Sequence, residues 1–188
     1  MSKNIQIQQE NVLNAYKNAS DEQKELLEHL FGREVFKPAD VKERIKTFAD
    51  AAKAIGIEDP EEWEEQYSDL EPDVLAYFKL RIITKALNEG WEPKFTVGEY
   101  RWFPFFVLYT KDEIDKMDEK TRARVVLRSY ADANADGGVA YVNADNDSSS
   151  ASSDGGSRLA FKSEELAEYA GKQFTEIYAD FCFIPKEF

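Results

Sequence analysis

Residues 100–109 read Tyr-Arg-Trp-Phe-Pro-Phe-Phe-Val-Leu-Tyr, and this run limits the fold more than any other. It is short, aromatic and rich in β-formers, so it predicts a strand. Pro104 cannot donate to a ladder, which places that strand at a sheet edge or at a bulge. Its rings are expected to fill an interior beneath the last helix, since aromatics dominate the burial of a small sheet at about 25 cal/mol per Å².

Everything before that run is patterned as helix. Ser20 with Gln23 forms a capping-box signature, Leu26, Leu27, Leu30 and Phe31 make a stripe, and Gly32 stops it. Val41, Ile45, Phe48, Ala52 and Ile55 trace one helix face, with Asp40 and Glu43 at its start and Gly56 at its end. A short acidic helix is expected over 60–68. Pro72 opens another, apolar at Leu75, Phe78, Ile82, Ile83, Ala86 and Leu87 and ended by Gly90. Its wide apolar surface predicts a central position. Ile5-Gln6-Ile7 alternates weakly, and Val12, Leu13 and Tyr16 suggest a short helix.

After residue 110 the character changes. A charged helical turn is expected over 111–120, and strands at 124–128, 139–142 and 158–162. Asn143 to Ser157 is rich in Ser, Asp, Asn and Gly and reads as a flexible surface loop. Ser163 caps a long helix marked by Leu166, Ala170, Phe174, Ile177 and Phe181, and 181–184 reads as a final strand. The expected class is α+β: a helical N-terminal half, then a small, mainly antiparallel sheet covered by a long C-terminal helix. We expect a single domain over 1–188, mainly helical to 90 and sheet plus helix over 91–188.

Several chemistries are disfavoured by composition. With 24 basic and 37 acidic residues the chain carries −13, and residues 1–75 alone hold 9 basic and 18 acidic side chains. Nucleic acid is therefore not the expected partner, because phosphate binding needs a basic face. One cysteine and one histidine leave no disulfide and no Cys/His metal cluster. No apolar run is long enough to span a membrane, and the start lacks a secretory h-region, so a cytoplasmic setting is expected. Ser157 and Ser163 have no nearby histidine, and 154–158 lacks the Gly-Lys-Ser/Thr of a phosphate loop. Cys182 among Phe181, Phe183 and Ile184 reads as a small buried hydrophobe.

Three candidate sites remain. Glu61, Glu62, Glu64 and Glu65 lie in a stretch with no Lys or Arg between Ala54 and Phe78, which suits contact with a protein partner. Trp91, Trp102 and Tyr169 could line an aromatic ligand surface between the strand at 100–109 and the last helix. Asp132, Asn134 and Asp136, followed by Gly137, match the first half of a calcium loop. Position 12 of that loop is Asn143 rather than the usual acid, and an Asp/Asn/Gly hairpin turn needs the same residues. No cofactor other than calcium is suggested.

A set of blocks recurs in order: Glu43 to Ala51, Lys85 to Trp91, Tyr100 to Pro104, Gly156 to Ser163 and Glu168 to Phe174. Together they resemble a group of uncharacterised proteins carried by phages and prophages of gut Bacteroidetes. The resemblance implies a phage-linked bacterial setting and brings no reaction, ligand or catalytic residue. The reading that results is a non-enzymatic accessory protein acting through protein–protein binding. The alternatives are a small ligand-binding or enzymatic module at the aromatic surface, and a calcium module over 132–143.

Overall fold

A computed structural model describes residues 7–36, 40–94, 96, 98–128, 137–148 and 157–182. The fold is α+β: helices first, then a three-stranded antiparallel sheet, then helices again. The chain divides into two compact units, Met1–Arg44 and Ile45–Phe188.

In the first unit, α1 (Gln9–Lys17) and α2 (Asp21–Phe31) precede a 3₁₀ turn, Arg33–Phe36, and the four-residue α3 (Val41–Arg44). The Ser20 capping box forms as expected, and Gly32 ends α2 at φ 85°, a backbone angle that favours glycine. Tyr16 stacks on Phe36 with centroids 4.1 Å apart, and its hydroxyl donates to Glu28. No residue of α2 is buried.

The second unit begins with a correction. The apolar spacing from Val41 to Ile55 suggests one helix, but α4 (Phe48–Ala54) starts afresh after a break at residues 45–47. The cause is local. Asp50 N–H donates to Thr47 Oγ1 at 3.1 Å and Thr47 N–H donates to Asp50 Oδ2 at 2.9 Å, a reciprocal cap that starts a new helix. α5 (Pro60–Gln66) is capped by Asp59, and α6 (Pro72–Asn88) has Pro72 at its first position. Leu80, Ile83 and Leu87 of α6 are wholly buried, so its expected central position holds.

The sheet runs β1 (Tyr100–Thr110), β3 (Gly137–Ser148), β2 (Val126–Arg128) in space, with β3 in the middle. α7 (Lys111–Asp115) and α8 (Glu119–Arg122) connect β1 to β2. Pro104 is indeed on an edge strand, and a bulge follows it. Phe105 pairs with Asn143 and Phe106 with Tyr141, so Val142 is the extra residue. Asn143–Ser148 is therefore strand rather than the expected loop. Its polar composition argues against a strand, but pairing with residues 100–105 of β1 overrides propensity.

Residues 158–162 also differ from expectation. Ser157–Leu159 is a 3₁₀ turn, and only Phe161 pairs, in a bridge to Trp102. Leu159, Ala160 and Phe161 are all buried, which strict strand alternation could not achieve on one covered face. Finally, the C-terminal helix is two: α9 (Glu164–Gln173) and α10 (Thr175–Cys182), meeting at Phe174. Thr175 Oγ1 donates to the Gly171 carbonyl at 2.6 Å, taking up a helix-end acceptor at the joint. Phe181 and Cys182 are helical, not strand.

Candidate functional site

The two faces of the sheet are built differently. On one face Phe106 packs against Tyr178 of α10, centroids 4.6 Å apart, and against Tyr141 at 6.0 Å. Val139 and Ala179 are fully buried beside them, with Phe106 and Val126 packed on. α9 presses closely here. A Cβ at Gly171 would lie 2.4 Å from Tyr141 Cδ2 and 2.7 Å from Pro104 Cβ. The space between the aromatic strand and the last helices is thus filled at that point. Burial, with Glu168 beside it, pushes the Tyr141 phenol up to about 12, and burial raises Tyr178 further in the same direction.

Alternation along β1 sends Phe105 and Val107 to the opposite face, and Leu127 of β2, opposite Gly138, joins them. Phe105, Val107, Leu127 and Val142 are 50, 38, 54 and 49% exposed. α7 covers part of this face, since a Cβ on Gly138 would lie 3.3 Å from Ile114 Cδ1. The edge of β1 is less open than the face. Trp102 exchanges both backbone bonds with Phe161, so the backbone N–H and C=O groups of the even residues of β1 face the edge away from β3. Pro104 has no N–H to offer there, and Thr110 N–H donates to Glu113 Oε2 in the α7 cap. Between them only Phe106 and Leu108 have amides that a further strand could use.

Of the acidic candidates, Glu61, Glu62 and Glu65 are exposed on α5. Glu64 is half-buried and forms an ion pair with Lys79 of α6. That lysine lies just beyond the window free of positive charge in sequence, and folding returns it to the acidic helix. Its ammonium also sits 5.3 Å from the Phe48 ring.

Trp91, Trp102 and Tyr169 are each half-buried. Tyr169 Oη donates to the Ile45 carbonyl at 2.7 Å, and Gln173 Nε2 donates to the Lys46 carbonyl at 2.7 Å. Both tie α9 to the segment between α3 and α4. Trp102 holds the Phe161 bridge, and Trp91 N–H donates to the Asn88 carbonyl just beyond α6. Of the three only Tyr169 holds the fold through its side chain, the bonds of Trp91 and Trp102 being backbone ones, and nothing described gathers the three around one cavity. Arg101, which sequence places beside the rings, is 2% exposed, so it is not presented to a phosphate.

Asp132, Asn134 and Asp136 lie outside the described residues. The residues that follow them, Gly137 to Asn143, belong to β3. Among the described residues no group of three or more acidic, histidine or cysteine side chains is placed to hold a metal. Cys182 is half-buried, and burial pushes its thiol up to about 11, away from thiolate chemistry.

Sequence reasoning missed Asn88. Its Nδ2 donates to the Ala160 carbonyl at 2.8 Å, and its Oδ1 accepts from Lys162 N–H at 3.0 Å. Lys162 Nζ in turn meets the Asn88 carbonyl and Glu89 Oε2, both at 3.4 Å. Lys162, though exposed, thus complements the negative end of α6. A buried amide at a helix end was the available signal.

One further cavity, of about 190 Å³, opens between α6 and α10. Among the described residues no helix is long and apolar enough to cross a membrane. Comparison of the chain with protein-family models, with curated proteins and with solved structures gives no match.

Proposed function

We propose that this is a non-enzymatic accessory protein that works by binding another protein through the open face of its sheet. One observation carries the reading: four large apolar side chains, Phe105, Val107, Leu127 and Val142, lie exposed on neighbouring strands. Exposed apolar clusters of this kind mark contact surfaces. Burying one such side chain completely is worth about 1.5–3 kcal/mol, so a few suffice for useful affinity. A partner meets the face rather than the edge, because Pro104 and the Thr110 cap leave a ladder only two amides long. The phage-linked setting rests on the sequence resemblance alone.

Photo-crosslinking tests this. Benzoylphenylalanine is placed at 105 or at 127, and in a third chain at Leu26 of α2. The expected result is one and the same protein captured from 105 and 127, and lost when Val107 is changed to Asp. Unrelated adducts at the two sheet positions, or the same adducts from Leu26, would overturn the reading.

A further inference from the structure

The first unit leaves one face of α2 uncovered. At about 100° per residue, Glu28 and Phe31 point one way and Leu26 and Leu30 nearly the opposite way. The inward side is occupied: Glu28 accepts from the Tyr16 hydroxyl and from Arg33 Nε, and Phe31 meets Phe36 edge-on at 6.4 Å. The outward side is a ridge, with Leu26 59% and Leu30 66% exposed and one turn apart. Charge along this ridge is uneven. Glu22, Glu25 and His29 are exposed and share one flank, the carboxylates towards the start of α2 and the imidazole towards its end. Arg33, its side chain 77% exposed, follows at that same end. A ridge with acceptors at one end and donors at the other matches its own reversed copy. Antiparallel pairing sets like flanks side by side and brings Glu25 to the His29 of a second copy. Parallel pairing would instead set Glu22 and Glu25 against the flank of Gln23 and Leu27, which offers no cation. The net −13 of the chain weighs little on such a seam, because charges beyond about 8 Å are screened at physiological salt.

We propose that α2 pairs antiparallel with α2 of a second copy of this chain, Leu26 packing on the partner's Leu30 and Glu25 accepting from the partner's His29. The pairing is two-fold symmetric, so each contact is made twice. Two leucines per copy fall short of the roughly 800 Å² per partner of a standard interface, so the dimer is weak and is populated at high concentration. It uses the first unit alone and stands or falls independently of the open sheet face.

Sedimentation equilibrium of the full chain tests this, over a hundredfold range of concentration reaching the millimolar. A monomer–dimer equilibrium is expected. Leu26→Glu with Leu30→Glu should weaken it at least tenfold, and circular dichroism confirms that the variant is folded. Glu25→Lys, which leaves the leucines in place, should weaken it several-fold, and adding His29→Glu to that change should restore it to within twofold of the unaltered chain. Phe105→Ser with Leu127→Ser should leave it within twofold, which separates this outcome from failure of the sheet-face reading. Orientation is read by mixing two tagged chains under mild oxidation, one with Leu26→Cys and one with Leu30→Cys, each also carrying Cys182→Ala. Disulfides between the unlike positions should exceed those between like ones. A monomer throughout, a dimer indifferent to the leucine pair, a charge exchange that restores nothing, or a preference for like positions would overturn the proposal. So would a dimer lost with the two sheet-face serines instead.

Discussion

The two faces of the sheet share the same three strands and have opposite fates. One is packed by α9 and α10 around Phe106 and Tyr141 so closely that Gly171 has no room for a methyl group, while Leu108 towards its end stays 51% exposed. The other leaves Phe105 and Leu127 half exposed. Strand alternation sends apolar side chains both ways, but among the described residues the longer helices α9 and α10 pack on only one side. The covered face is where burial, and with it most of the sheet's stability, is concentrated.

The sharpest way to break this contrast is Phe161→Ala. Phe161 is fully buried, and its bridge places it on the Trp102 side, the covered side, of β1. A loss of about 3–5 kcal/mol is expected, read by urea unfolding. Gly171→Ala comes next. Helix propensity favours alanine by about 1 kcal/mol, while overpacking against Tyr141 and Pro104 costs about 1–3 kcal/mol. We expect a net loss near 1 kcal/mol and a melting temperature about 2–4 °C lower.

A smaller effect concerns pH. The Tyr141 phenol is pushed up to about 12 in the folded chain, against about 10 unfolded. The folded state keeps its proton longer, so this contribution is complete below about pH 10 and drains away as pH rises from about 10 to 12. Tyr178 shifts in the same direction and adds to the decline. Tyr141→Phe should flatten the fall in stability over that window, measured by unfolding at several pH values. The smallest stability effect belongs to the open face. Phe105→Ser with Leu127→Ser should change unfolding free energy by about 0.5 kcal/mol or less per site, as at other exposed positions, yet abolish partner capture.

Elements marked by local chemistry were legible in the sequence. The Ser20–Gln23 box, Gly32, Pro60, Pro72 and Ser163 all lie where their helices begin or end. Breaks inside an unbroken apolar spacing were not. Ile45 and Phe48 keep helical spacing across the gap before α4, and Phe174 keeps it across the joint of α9 and α10. There, hydrophobic period hides the interruption, although Thr47 followed by Asp50 was a readable cap. The polar tail of β3 was invisible for the opposite reason: its strand state comes from the neighbour it pairs with. Of the candidate sites, the glutamates of α5 are where sequence placed them, but only folding brings Lys79 to Glu64. The cleft between α6 and α10 joins residues about a hundred positions apart, and no local pattern announces it.

By itself the sequence determined the α+β class, the starts of α2, α5, α6 and α9, the edge-or-bulge position of the proline-bearing strand and the acidic character of the chain. These follow from backbone preferences and charge, which act within a few residues. Which sheet face is covered and where a cleft opens were decided only by the tertiary structure. They depend on how distant surfaces share a limited supply of covering helix.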